Sequence, residues 1–292
     1  MFDAHCHLHL KDFDGIREEV LRRARRAGVT GFLTCGVDDG DWEAALELSG
    51  KEPDVFAAVG IHPWALRRWP ISEDQERTAR LASFTASNRS ALTAVGECGL
   101  DARLTDVPMD RQLRMLAAQL EAARSSGLPV VLHCVRAQEE LRQLLQRSPG
   151  TRGILHGFSG SLEQAKALLK LGDFTFSFGG ALTLPSQKRR ALIQGLPAHL
   201  ILAETDAPDG PAIRPQSEAA VNFPEKRAQA SCRPPDSRRP LEPQDLVLVA
   251  EAIAQLRGGP ADAWMAQTHA NAAAFLSASD SGRRPNFHIP KE

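Results

Sequence analysis

The chain carries almost no net charge, few cysteines and no long apolar run, and each shortage removes a class of function. Lysine and arginine number 35 against 36 aspartate and glutamate, a formal charge of −1. No global positive field is available to hold a polyanion, so a nucleic-acid partner would need a local patch or a bound metal. Five cysteines, an odd number scattered through apolar segments, make no disulfide framework and read as reduced thiols of a cytosolic protein. No stretch approaches the roughly 18 apolar residues of a membrane span. The opening MFDAHCHLHL has no basic region followed by an apolar one, so no targeting segment is expected and the cytoplasm is the expected compartment. What is there, 292 residues of which 42% are hydrophobic and 24% charged, is the make-up of an ordinary soluble globular protein, expected to be a monomer.

Short apolar runs alternate with longer stretches of helical period along the whole chain, the pattern of βαβ units and a parallel sheet. The runs are MFDAH (1–5), VTGFLTCG (29–36), VFAAVGIH (55–62), LTAVGE (92–97), VVLH (130–133), GILH (153–156), FTFSFGG (174–180) and LILAET (200–205). Amphipathic stretches lie between them at 15–27, 41–50, 73–87, 108–126, 137–147, 161–171 and 186–195, with two more at 244–256 and 262–276. Roughly 150 residues per domain would suggest two domains, but α/β barrels run to about 250 residues as one. Eight strands each followed by a helix predict an α/β fold, a single (β/α)8 TIM barrel over residues 1–276, with 277–292 as a flexible tail. Residues 209–243 are rich in Pro and Arg and form a long loop after strand 8, on the rim where a barrel carries its active site. In the first helix Ile16, Val20, Leu21, Ala24 and Ala27 make the inner face, and the cluster Arg22, Arg23, Arg25 and Arg26 reads as a solvated outer face.

In a barrel of this kind the strand C-termini converge on one mouth. Six of the eight predicted strands end there in a potential metal ligand: His5 and His7, His62, Glu97 and Asp101, His133, His156, and Glu204 and Asp206. Taken singly, a strand-end histidine is an ordinary hydrogen-bonded polar residue. Gathered at one rim with carboxylates, these residues point to a metal centre. His5 and His7, two apart on a strand, point the same way and can grip one ion. Cys6, Cys98 and Cys134 are expected to face away as packing residues, His9 is a weaker candidate, and His199, His269 and His288 are expected to be structural. The ligand types suit Zn, Mn, Fe, Co or Mg. Four imidazoles plus two carboxylates exceed the three protein ligands of a mononuclear catalytic zinc, and a glutamate between histidine groups suits bridging, so two divalent metals are expected.

The motifs DAHCHLH, AVGIHP, VGECGLD, VVLH, HGFSGS and ETDAP, in this order and spacing, resemble the TatD family of metal-dependent deoxyribonucleases within the amidohydrolase superfamily. The likeness runs from Phe2 to about Pro208 and resumes in THANAAAFL. It implies a TIM barrel, metal ligation by His5, His7, His133, His156 and Asp206, a bridging Glu97, and His62 facing the substrate phosphate. The family commonly has an arginine two residues after the fifth-strand histidine; Val135 stands there, and Arg136, one further on, is the expected substrate contact. The family's Asn-Glu-Pro-like segment is present only in part, as Leu241-Glu242-Pro243.

The expected activity is metal-dependent hydrolysis of phosphodiester bonds in single-stranded DNA, with Mg, Mn or Zn as the ion, Glu97 and Asp206 as catalytic residues and Asp206 accepting the proton of the attacking water. Glu204 is expected to orient the site, and Trp64 and Trp69 are candidate stacking platforms for bases. Two other readings stay open. One keeps the metal and cleaves an ester or amide, such as that of an aminoacylated nucleic acid or a small metabolite. The other is a non-catalytic metal-binding scaffold.

Overall fold

The computed structural model describes residues 1–210 and 241–278. Its eight strands are β1 (Phe2–Cys6), β2 (Gly31–Cys35), β3 (Val55–Val59), β4 (Leu92–Asp101), β5 (Val130–Val135), β6 (Arg152–Leu155), β7 (Asp173–Phe178) and β8 (Ile201–Ala203), paired in parallel in chain order. Helices α1 (Arg17–Arg26), α2 (Trp42–Lys51), α3 (Asp74–Ser87), α4 (Met109–Ser126), α5 (Gln138–Gln146), α6 (Leu162–Leu169) and α7 (Gln187–Gly195) alternate with the strands, and α8 (Leu246–Arg257) and α9 (Ala261–Ala278) follow β8. This is the expected (β/α)8 barrel. Strands covered on both faces need apolar residues at every position, which is why they read as continuous runs. Most of the Pro/Arg-rich loop and of the tail lies outside the described residues, and no described helix is long and apolar enough to cross a membrane.

Side-chain alternation builds both the core and the site. Leu33, Phe56, Ala58, Ala94, Val131, Ile154 and Leu202 pack together as the barrel's filling. The opposite set, including Phe32, Val59, Val95, Leu132, Leu155, Phe176 and Ala203, packs outward with the helices. Two residues beyond Val131 is His133, two beyond Ile154 is His156, and two and four beyond Leu202 are Glu204 and Asp206. The filling positions thus continue upward into the polar residues of the mouth. β4 would miss this phase, but its register against β5 shifts between Val95 and Cys98. The shift brings Glu97 to the inner side and leaves Cys98 in the outer core, the side away from the mouth expected of it. Gly96 and Gly99 make the bend possible. Both have φ near +150°, and a Cβ on either would run into β5 backbone at Val131 and His133.

β8 and β1 meet at the closing seam. Asp206 N–H donates to the His5 carbonyl (2.9 Å), His7 N–H to that of Ala207 (2.7 Å), and Thr205 binds the Asp3 carboxyl through its N–H (2.9 Å) and hydroxyl (2.5 Å). Asp3 is fully buried, and burial pushes its carboxyl up to about 8 against the hydrogen bonds from Thr205 and His5. A carboxyl whose folded value lies above its ordinary 3.8 contributes fully below that value, and the contribution is lost as pH rises through about 8. Between about pH 5 and pH 8 the urea midpoint of the wild type is therefore expected to fall more than that of Asp3→Asn, which is neutral throughout. Parallel pH profiles for the two proteins would mean that Asp3 is ionised in the fold across the range.

The basic cluster of α1 is largely the outer face expected of it, with Arg22, Arg25 and Arg26 exposed and Arg23 half-buried. Arg23 forms a two-bond pair with buried Glu242 (2.9 Å each), Arg25 pairs with Glu52 and Asp54, and Arg22 with Glu19. Arg17 reaches back to the carbonyls of Leu8, His9 and Leu10. Arg23 and Arg25 pin α1 to its neighbours, Arg23 through the partial Leu241-Glu242-Pro243 motif.

Candidate metal centre

Five imidazoles and two carboxylates converge at the mouth, with Glu97 between them. One carboxylate oxygen, Oε2, lies 3.3 Å from His5 Nε2 and 3.5 Å from His7 Nε2. The other, Oε1, lies 2.8 Å from His156 Nε2, 3.0 Å from His133 Nδ1 and 3.3 Å from His62 Nε2. Asp206 Oδ1 joins the first side, 3.5 Å from His5 Nε2 and 3.4 Å from His7 Nε2. The His5 and His156 rings stack at 3.8 Å between centroids, so the two sides adjoin.

The outer neighbours of His7, His133, His156 and His62 settle which nitrogen of each faces inward. His7 Nδ1 lies 2.6 Å from the Cys35 carbonyl, an acceptor, so the proton sits there and Nε2 turns a lone pair to the centre. His133 Nε2 faces Asp101 at 3.4 Å, leaving Nδ1 as its inward donor atom. Asp101 is itself held by Arg103. His156 Nδ1 looks outward to Glu204, 3.7 Å away, and Glu204 is fixed by the Gly157 N–H (2.8 Å) and the Ser177 hydroxyl. His62 is the reverse case. Its Nδ1 accepts from the Trp64 N–H (3.1 Å), so Nε2 carries the proton and His62 is a hydrogen-bond donor toward the centre.

This donor set fits a metal ion. His5 Nε2 and His7 Nε2 stand 3.2 Å apart, and His133 Nδ1 and His156 Nε2 3.1 Å apart, arrangements that need a cation or a proton between like lone pairs. Three groups bring their ligand atoms within 4.8 Å of one another: His5, His7 and Glu97; His5, His156 and Asp206; and His62, Glu97 and His133. The electrostatics agree. Burial opposes ionisation of Glu97, yet the surrounding imidazoles hold its carboxyl well below the usual range, and Asp206 is lowered against burial by the His7 bond. Burial alone would lower His7, but Asp206 and Glu97 push it up to about 9, and His133 and His156 also rise. Burial wins at His62, which falls to about 4 and stays neutral. The site is built to hold positive charge.

A cavity of about 350 Å³ opens beside the donors, lined among others by His133, His156, Asp206, Phe158 and two arginines, Arg103 and Arg189. Arg136, the expected substrate contact, is exposed just beyond β5 with φ +54° and is not part of that lining. Trp64 is half-buried beside His62, with rings 5.7 Å apart and Arg68 4.5 Å over the indole. Trp69 corrects its reading as a platform: it is 7% exposed, donates to Asp74 (3.1 Å) and packs under Arg77, so it is a loop anchor. His9 is buried against Thr34 (2.8 Å) and Asp41 and takes no part in the donor groups. His199 is exposed in a short turn, His269 sits on α9, and His288 lies outside the described residues. Arg103 and Arg189 escaped the sequence reading. Arg103 could have been suspected from its place two residues after the GECGLD motif; no sequence signal marks Arg189.

A family model described as TatD related DNase matches residues 2–277. The uncharacterized metal-dependent hydrolase YjjV of Escherichia coli K12 is 35% identical over 251 residues, 85% of this chain and 93% of that protein. The 3′-5′ ssDNA/RNA exonuclease TatD of Salmonella typhimurium is 32% identical over 281 residues, 93% and 97% of the two chains. Among solved structures, the crystal structure of YjjV superposes with a TM-score of 0.80 at 30% identity, covering 95% of this chain and 98% of that one.

Proposed function

The chain belongs to the TatD family of metal-dependent hydrolases, and from that premise we propose that it is a nuclease that shortens single-stranded DNA or RNA from the 3′ end at a centre of two divalent ions. The observation that carries the reading is Glu97, whose two oxygens face two different sets of donors. His5, His7 and Asp206 would hold one ion, His133 and His156 the other, and Glu97 would be shared. Divalent ions such as magnesium, manganese or zinc supply Lewis acidity there and make water a nucleophile at neutral pH.

The remaining work falls to the protein's own groups. Asp206, ionised and with its side chain a quarter exposed at the cavity wall, accepts the proton of the attacking water. His62 keeps its proton on Nε2 and donates to a phosphoryl oxygen. Glu204 and Asp101 keep His156 and His133 turned with the right nitrogen inward. The half-buried indole of Trp64 offers a face on which a base can stack. The single-stranded substrate and the direction of attack follow the printed name of the Salmonella relative, and a small cavity admits a strand end more readily than a duplex.

The test uses oligonucleotides, DNA and RNA, labelled at the 5′ or the 3′ end, with magnesium or manganese. A ladder retaining the 5′ label, early loss of the 3′ label, resistance of duplex and abolition by chelator are expected. Metal-loaded protein that leaves every oligonucleotide intact would end the nuclease reading, and turnover of an aminoacyl ester would replace it.

A further inference from the structure

We infer that Arg189 is a specificity-determining residue that holds the phosphate on the 5′ side of the scissile one, so that the mouth seats the nucleotide upstream of the cut with a phosphate at each end. The inference rests on the phosphodiester reading above and names the neighbouring contact. Its ground is the cavity: His133, His156 and Asp206 line one part of it, and Phe158, Leu182 and Arg189 another. At about 350 Å³ it lies near the small end of ligand sites, the size for one nucleotide unit and too small for a run of them. Phe158 and Leu182 are buried and give an apolar wall. Among the described residues no carboxylate lies at salt-bridge distance from Arg189. Arg103 is closed onto Asp101, whereas among the described residues Arg189 makes one side-chain bond, from Nη2 to the Leu184 carbonyl (3.2 Å), and its Nε has no partner. The guanidinium thus borders the cavity without a charged partner, and a phosphate bound there would supply one through a charge-assisted bond.

The helix that carries Arg189 supports the assignment. α7 begins Gln187-Lys188-Arg189-Arg190, with no acidic residue in its first turn. Cations at that end oppose the helix dipole, by about 0.3–1 kcal/mol each at exposed positions, and an anion beside them would reverse the sign. The local rule is broken where the chain borders the metal centre, which is where function overrides local preference.

The experiment compares two ligands by calorimetry on magnesium-loaded protein: deoxyadenosine 3′,5′-bisphosphate and deoxyadenosine 3′-monophosphate. Both offer one phosphate to the centre, and only the first offers another to Arg189. The wild type should prefer the bisphosphate by about tenfold or more, the worth of one charge-assisted pair. Arg189→Gln should cut that margin below about threefold, and Arg189→Lys, which keeps the charge but not the planar fork, should fall between. Arg190→Gln removes the same charge from the same turn outside this cavity and should keep the full margin. Circular dichroism melts verify that each variant is folded. A wild type without the margin, or a margin intact in both Arg189 variants, overturns the inference. Oligonucleotide digestion read in parallel separates the two ideas: digestion without the margin leaves the nuclease and removes the Arg189 contact, and the margin without digestion does the opposite.

Discussion

Glu97→Gln should lose hydrolysis by on the order of 10³-fold or more and fail to retain its full complement of metal. The substitution keeps the volume of a buried side chain, so the barrel has no cavity to collapse. It removes the negative charge and turns one oxygen into an amide nitrogen that donates. Whichever side that nitrogen takes, it meets lone pairs: His5 and His7 on one, His133 and His156 on the other. Metal catalysis is worth several kcal/mol, and each 1.36 kcal/mol is tenfold in rate. The measurement is kcat/KM together with metal content on the same preparation. A variant with full metal and a tenth of the wild-type rate would show that Glu97 is packing and not part of the centre.

Asp206→Asn should lower kcat by about 10² to 10⁴, the range for removing a positioned general base. Asp206 differs from the other donors in being reachable. Its side chain is 25% exposed while that of Glu97 is 4% exposed, and it lines the cavity. Its carboxyl is held below the ordinary 3.8, by the His7 bond and the neighbouring imidazoles acting against burial. A depressed carboxyl stays ionised down to below that value, so the base is fully in its active form across the neutral range. The wild-type rate should therefore show no inflection from Asp206 in the neutral range. Steady-state kinetics on the labelled oligonucleotide, with KM and kcat separated, checks this. A loss confined to KM would reassign Asp206 to substrate binding.

The strands were legible because strands buried on both faces leave unbroken apolar runs, and the mouth residues because each ends such a run. Where the backbone departs from regular geometry, the sequence was a poorer guide. GECGLD looks like the start of a loop after Glu97, yet β4 continues to Asp101, because Gly96 and Gly99 let it bulge past β5. LILAET reads as six residues of strand, but the ladder stops at Ala203 and the chain turns at Asp206, whose φ is +57°. Aspartate is one of the few residues other than glycine that visit that region readily. Side-chain partnerships across the fold were not legible at all. Nothing near His7 in sequence announces the Cys35 carbonyl that fixes its tautomer, and nothing near Arg23 announces Glu242. Trp69 failed as a platform for the same reason: its partners Asp74 and Arg77 make it an anchor, a fact of packing and not of composition.

The seam between the first and last strands bears on the order in which this protein can come into being. Glu97, His62, His133 and His156 belong to the middle of the chain, whereas His5 and His7 meet Asp206 only across that seam. As the polypeptide leaves the ribosome, the two early histidines emerge about 200 residues before the aspartate they need. A nascent chain, or one clipped ahead of β8, lacks Asp206 and so, on the proposed mechanism, the proton acceptor at the mouth. On that mechanism turnover begins only when the final strand docks against the first, so activity doubles as a report that the barrel has closed.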